Sequence, residues 1–423
     1  RIVWGNGFTQ AEFDLSQNQA VQVGQRLTGS CPHLFAWNGT EFKFVKDSAP
    51  LGTSLGLRVS NTETVPVTQT EEWYKIPGEQ LVAKDGFYEI RITDELWESY
   101  YVDRYSLMVI DHPVETDVFA NELYPIPTPL KLYSTEIPQP FASATDENGT
   151  DVANIINDLD ENFLGTFRKA RYQGVTNEHF VELELPPDAP TNKPIYIIAD
   201  GWLHPTDTSL NVAISQNSAE KPRTLSLDVL NEKGVWQTVK DDFGVPASKF
   251  KTVVVELPLG TKRCRLRTNS EVYWDRLAWA VGAPDGKNEI TRLELSQAEL
   301  RFHGFSAVSK LDDSSPEIAD YETIATTTER WRGIEGYYTR YGDIIELLSR
   351  SDDRYALVAS GDEMRLRFAE LPPVRQGWKR DFVIVGDGWI KEGDYNNVFS
   401  QTVLPLPTHS TNDYSRIPTR LED

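Results

Sequence analysis

The chain has 423 residues, 39% hydrophobic and 25% charged, which suits two to four packed domains and argues against long disorder. Its net charge of −22 comes from 64 acidic and 42 basic residues, with no basic patch to point to nucleic acid. That acidity either keeps the chain soluble or attracts Ca²⁺ or a basic partner. No apolar run nears the ~18 residues that span a bilayer, so no membrane span is expected.

The chain starts at Arg1 with neither Met nor a signal peptide, and so reads as a processed or partial piece. Residues 1–15, turning at Gly5-Asn6-Gly7, form a hairpin pattern. Alternating or β-branched runs follow, among them Phe87 to Ile92, Tyr105 to Ile110, Val181 to Leu185, Lys251 to Leu257, Arg263 to Thr268, Met364 to Phe368 and Asp381 to Val385. Pro, Gly, Asn and Asp separate them. Short strands punctuated this way predict an all-β fold of tandem β-sandwiches of jelly-roll type.

Two helices are expected. Thr150 is placed to cap residues 151–163, with Val152, Ile155, Ile156, Leu159 and Phe163 on one side. Asp343 is placed to cap residues 344–351. The Pro-rich run Tyr124 to Leu130 reads as part of a linker. Cys31 and Cys264 are the only cysteines, and their pairing is not readable from spacing.

The sequence repeats itself. Asp200-Gly201-Trp202 and Asp387-Gly388-Trp389 each follow an apolar strand, and further upstream lie a Leu-Pro-Pro strand end, an acidic turn and a short helix. A second echo links Tyr101-Val102-Asp103-Arg104 with Tyr273-Trp274-Asp275-Arg276. Matches in one order mark a duplicated structural unit. The resulting division is a hairpin over 1–30, a first sandwich over 31–123, a linker over 124–142, a second sandwich over 143–283 and a third, incomplete one over 284–423.

Residues 1–23 resemble the last hairpin of the ASPIC/UnbV domain, which follows FG-GAP propeller repeats in secreted bacterial proteins of the cartilage-acidic-protein type. Ser30 to Val45, Asp111-His112-Pro113 and Tyr273 to Arg276 resemble the region after it in such proteins, as does Asp387 to Asp394. Ser143 to Val152 is similar to the start of a discoidin or galactose-binding-like sandwich. These resemblances imply an extracellular or cell-surface location, with propeller domains preceding this piece.

Trp202, Asp207 and Asn211, with Trp389, Asp394 and Asn396, form two candidate ligand sites. An aromatic face beside acceptors and amides suits sugars. The alternative is structural: Gly makes a corner, Trp plugs a sandwich end and Asp bonds the loop. Asp158 and Asp160, and Asp352 and Asp353, crowd hard oxygens as Ca²⁺ prefers, or else are solvated helix ends. No His-Glu-x-x-His and no P-loop is present. The sequence therefore predicts no enzyme, but a binding or adhesion module for a glycan or an extracellular protein. A structural subunit and a carbohydrate-active enzyme are the alternatives.

Overall fold

The period-2 runs become strands in a computed structural model of the chain, which describes residues 2–4, 9–11, 32–48, 54–67, 69–216, 218, 220–283, 288–329 and 331–415. The fold is all-β, as expected. In Arg263–Ser270, Cys264 and Leu266 point into a core while Arg265 faces outward to Glu182 on the neighbouring strand. That alternation fixes register, because a one-residue slip would expose every apolar side chain.

Two sandwiches result. One has a sheet ordered Gln139–Pro140, Val272–Val281, Ile195–Leu203, Lys251–Leu257. Its other sheet runs Ser143–Asp146, Val175–Glu184, Arg263–Ser270, Ser226–Leu230, Trp236–Lys240. Between them lies a core that includes Leu183, Ile197, Val253, Val255, Leu266 and Trp274.

The other sandwich is built from both ends of the described chain. The long strand Glu289–Phe302 serves both of its sheets: its first half pairs with Ser106 to Asp111, its second with Asp362 to Phe368. One sheet continues through Glu98–Pro113, Trp378–Glu392 and Glu71–Ile76, the other through Asp362–Ala369, Phe87–Thr93, His33–Trp37 and Phe42–Asp47. Leu34, Ile90, Leu366, Leu107, Phe382 and Ile384 meet in its core.

Position by position, the two strand orders match. In chain order, however, the units run as first half, second half, first half, second half. The inner two halves (139–203 and 226–281) close one sandwich, and the outer two (33–113 and 289–392) close the other. The division into three sandwiches is corrected accordingly: the expected first and third share one, built from strands within 33–113 and 289–392, and the other adds Gln139–Pro140 of the expected linker to the expected second.

The expected linker carries structure. Leu132–Glu136 pairs with Thr116–Ala120, Leu123–Tyr124 pairs with Val245–Pro246, and Tyr133 packs with Phe119, Ile198 and Val254. Helix α1 spans only Ala153–Ile156, and Asp151 rather than Thr150 accepts an N–H at its start. A second helix, α2 (Thr208–Ser215), was not expected. The third, α3 (Ile345–Leu348), begins at the N–H that Asp343 accepts. Strands Ile2–Trp4 and Thr9–Ala11 pair as the expected hairpin. Cys31 lies outside the described residues. The Cys264 thiol is buried and pushed up to about 12 by desolvation.

The sandwiches meet through buried charges. Glu122 accepts from Lys46 Nζ at 2.7 Å and from the backbone N–H groups of Lys75 and Thr252. Asp47 accepts from Ser248, and its carbonyl binds Lys251. Each of these buried groups has a partner from the other sandwich, so separating the two would strand charges in an apolar surface.

Candidate functional site

Each Asp-Gly-Trp segment sits at a bulge, where its strand crosses the Tyr-x-Asp-Arg strand. Asp200 is opposite Arg276, and after the register shift Gly201 is opposite Trp274 and Trp202 opposite Tyr273. In the other copy Asp387 is opposite Arg104, Gly388 opposite Val102 and Trp389 opposite Tyr101. A Cβ on Gly201 would lie 2.2 Å from the Tyr273 carbonyl oxygen, and one on Gly388 2.2 Å from that of Tyr101. Glycine is required at both because the facing backbone leaves no room.

The bulges send both indoles inward. Trp202 is 1% exposed and Trp389 0%. Trp202 stacks on Tyr273 at 4.5 Å and donates to the Ser314 carbonyl. Trp389 packs against Tyr355 and, at 4.7 Å, His409. Neither ring offers a face to solvent.

The polar candidates serve the joint between the sandwiches. Asp207 caps α2 by accepting from the Leu210 N–H at 2.8 Å. Asp394 accepts from Ser209 Oγ at 2.6 Å and from the Ser209 N–H. Asn396 donates to Ser209 Oγ, and Asn211 to the Arg58 carbonyl. Thr208 donates to Glu392. The two loops after Asp-Gly-Trp thus bind each other, and these contacts follow the structural alternative for the motif.

The acidic candidates separate. Asp158 and Asp160 are exposed, and Asp160 accepts from the Asn162 N–H. Asp352 is exposed and pairs with Arg354. Asp353 instead joins Asp103 and His409, whose ligand atoms lie within 4.8 Å of one another. His409 Nδ1 is 2.6 Å from Asp353 Oδ1 and 3.6 Å from Asp103 Oδ2, and its Nε2 is 3.2 Å from Asp387 Oδ1. Asp387 also accepts from Ser351 Oγ. Burial raises the Asp103 carboxyl above the usual range. The His409 imidazole is also raised: burial works against this, but Asp353 and Asp387 outweigh it.

Sequence reasoning missed an aromatic end on the same sandwich. Trp97 meets Tyr395 edge-on at 5.1 Å and Trp331 at 6.4 Å. Tyr337 is 97% exposed, Tyr341 51% and Tyr395 39%. Tyr341 donates to Asp362 at 2.7 Å. Flanking Trp97 in the chain, Asp94 and Glu98 are buried, and both are held well above the usual carboxylate range, by desolvation first and then by neighbouring acids. These groups come from four loops, and only the density of Trp and Tyr in the composition hinted at such a surface.

The chain matches no family model and no curated protein.

Proposed function

We propose that the chain is a non-catalytic extracellular module that holds a carbohydrate, or another extended surface polymer, on the aromatic end of the outer sandwich. The observation that carries this reading is the cluster of Tyr395 and Trp331 on Trp97, with the half-exposed Tyr341 anchored on buried Asp362 and the exposed Glu329 as a neighbouring carboxylate. Aromatic faces cover the C–H surface of a sugar, and carboxylates accept from its hydroxyls. The cavity beside Trp274 and the one beside Tyr133 each hold only a water-sized volume, about 10 Å³. The aromatic end is instead an open platform, which suits a chain passing over the surface. The extracellular location rests on the resemblance of the opening residues to the ASPIC/UnbV hairpin.

The test is retardation of the full chain in gels containing soluble polysaccharides of different charge and linkage. Tyr341→Ala and Tyr395→Ala are expected to abolish a retardation that Val235→Ala, on the far sandwich, leaves intact. Retardation on none of the polysaccharides, together with a large assembly at native concentration, would replace this reading with a structural subunit. Depolymerisation lost in Glu98→Gln would make it an enzyme.

A further inference from the structure

We propose that Asp103, Asp353 and His409 bind one divalent transition-metal ion of the Zn²⁺ or Mn²⁺ type, with Asp387 orienting the imidazole. Asp103 is 0% exposed; one of its oxygens accepts the Asp353 N–H at 3.1 Å, and Oδ1 has no hydrogen-bond partner among the described residues. A buried carboxylate oxygen left without a donor is costly unless a proton or a cation meets it.

The equivalent corner of the inner sandwich shows what is missing. There Arg276 binds Asp200 at 2.8 Å, beside the buried Asp275. Arg104 holds the place of Arg276 in the outer sandwich, but it pairs with Glu294 at 3.0 Å. Asp387 thus loses its fixed cation, and in its place residues 402–414 bring an imidazole across Trp389 that also reaches Asp103. Also nearby are Tyr355, Tyr414, the Ser351 hydroxyl and the outward Asp352–Arg354 pair with Arg350 beside it, and the four carboxylates outnumber the two arginines.

The donor set selects the ion. Ca²⁺ favours a cage of six or more oxygens, whereas one imidazole with two carboxylates suits Zn²⁺ or Mn²⁺. Nδ1 faces Asp353 and Asp103. Nε2 faces Asp387, the outer carboxylate that commonly fixes a metal-bound histidine. Water would complete the coordination shell from the open side, where Asp353 is 39% exposed. A bound ion would tie residues 402–414 to the sandwich.

The proposal is independent of the polymer reading and is tested on tag-free, chelator-stripped full chain. Equilibrium dialysis against Zn²⁺ should give one ion per chain, and the ion should raise Tm by several degrees. His409→Asn and Asp353→Asn should each weaken Zn²⁺ binding at least ~10-fold, the scale seen even for outer-shell losses. Asp352→Asn, on the exposed neighbour, should bind as wild type does. Asp353 lies at the surface, so its variant keeps the test informative if His409→Asn unfolds. Absence of Zn²⁺ and Mn²⁺ binding, or equal binding by wild type and both variants, overturns the proposal.

Discussion

In the inner sandwich the Asp-Gly-Trp corner is closed by permanent groups. Arg276 and Thr252 bind Asp200, Asp275 accepts the N–H groups of Asp160 and Glu161, and the Ser314 carbonyl takes the Trp202 N–H. In the outer sandwich the backbone is the same, down to a positive φ at the matching residues Glu161 (64°) and Asp353 (63°). Yet His409 stands where arginine would serve, and Trp389 Nε1 and Asp103 Oδ1 have no hydrogen-bond partner among the described residues. One copy is thus closed by an arginine, and the other by an imidazole beside two buried atoms without a hydrogen-bond partner. The two corners share their strand pairing and their bulge, and differ in the side chains around the buried carboxylates.

That comparison can be broken at the indoles first. Trp202→Ala and Trp389→Ala should each destabilise the chain by roughly 3–5 kcal/mol, as large-to-small changes in packed cores do. Chemical denaturation measures both. A loss below ~1 kcal/mol at either site would mean that the ring is not a plug.

Charge gives the next largest effect. Burial pushes the Asp275 carboxyl up to about 7. Its folded-state value lies above the unfolded one, so its contribution is fully present below about pH 4 and is lost as pH rises through about 7, a step of roughly 4 kcal/mol at most. Asp275→Asn keeps an acceptor for the two N–H groups and removes the step. The variant should equal or exceed wild type in Tm at pH 8, and a flat wild-type profile between pH 4 and 7 would refute the assignment.

Equivalence of the bulges is probed by glycine. Gly201→Ala and Gly388→Ala both drive a Cβ into a carbonyl, and each should cost about 1–3 kcal/mol. Unequal losses would show that one bulge can relax where the other cannot. The smallest effect expected is the coupling across the joint. A double-mutant cycle on Ser209→Ala and Asp394→Ala should return about 1 kcal/mol of interaction energy, and zero coupling would mean that the two loops touch without holding.

Local pattern was enough to read the strands and the repeated Asp-Gly-Trp segments. Alternation of apolar and polar residues is a local signal, and so is a side chain that caps the next turn, as Asp343 does for Ile345. It did not determine which halves pair, because 139–203 carries the same apolar pattern as 289–392 and either suits the same partner sheet. Nor could it place the indoles: a Trp after Gly is equally readable as a platform or a plug, and only the bulge opposite Tyr273 or Tyr101 turns it inward. Helix α2 was missed because its length and caps look like loop chemistry until Ser209 meets Asp394. The cluster of Asp103, Asp353 and His409, and the rings at Trp97, Trp331 and Tyr395, each draw on segments far apart in the chain. Local sequence sets periodicity and turns. Which distant side chains share a site is decided by tertiary packing, where burial of one face forces the loops at its ends together.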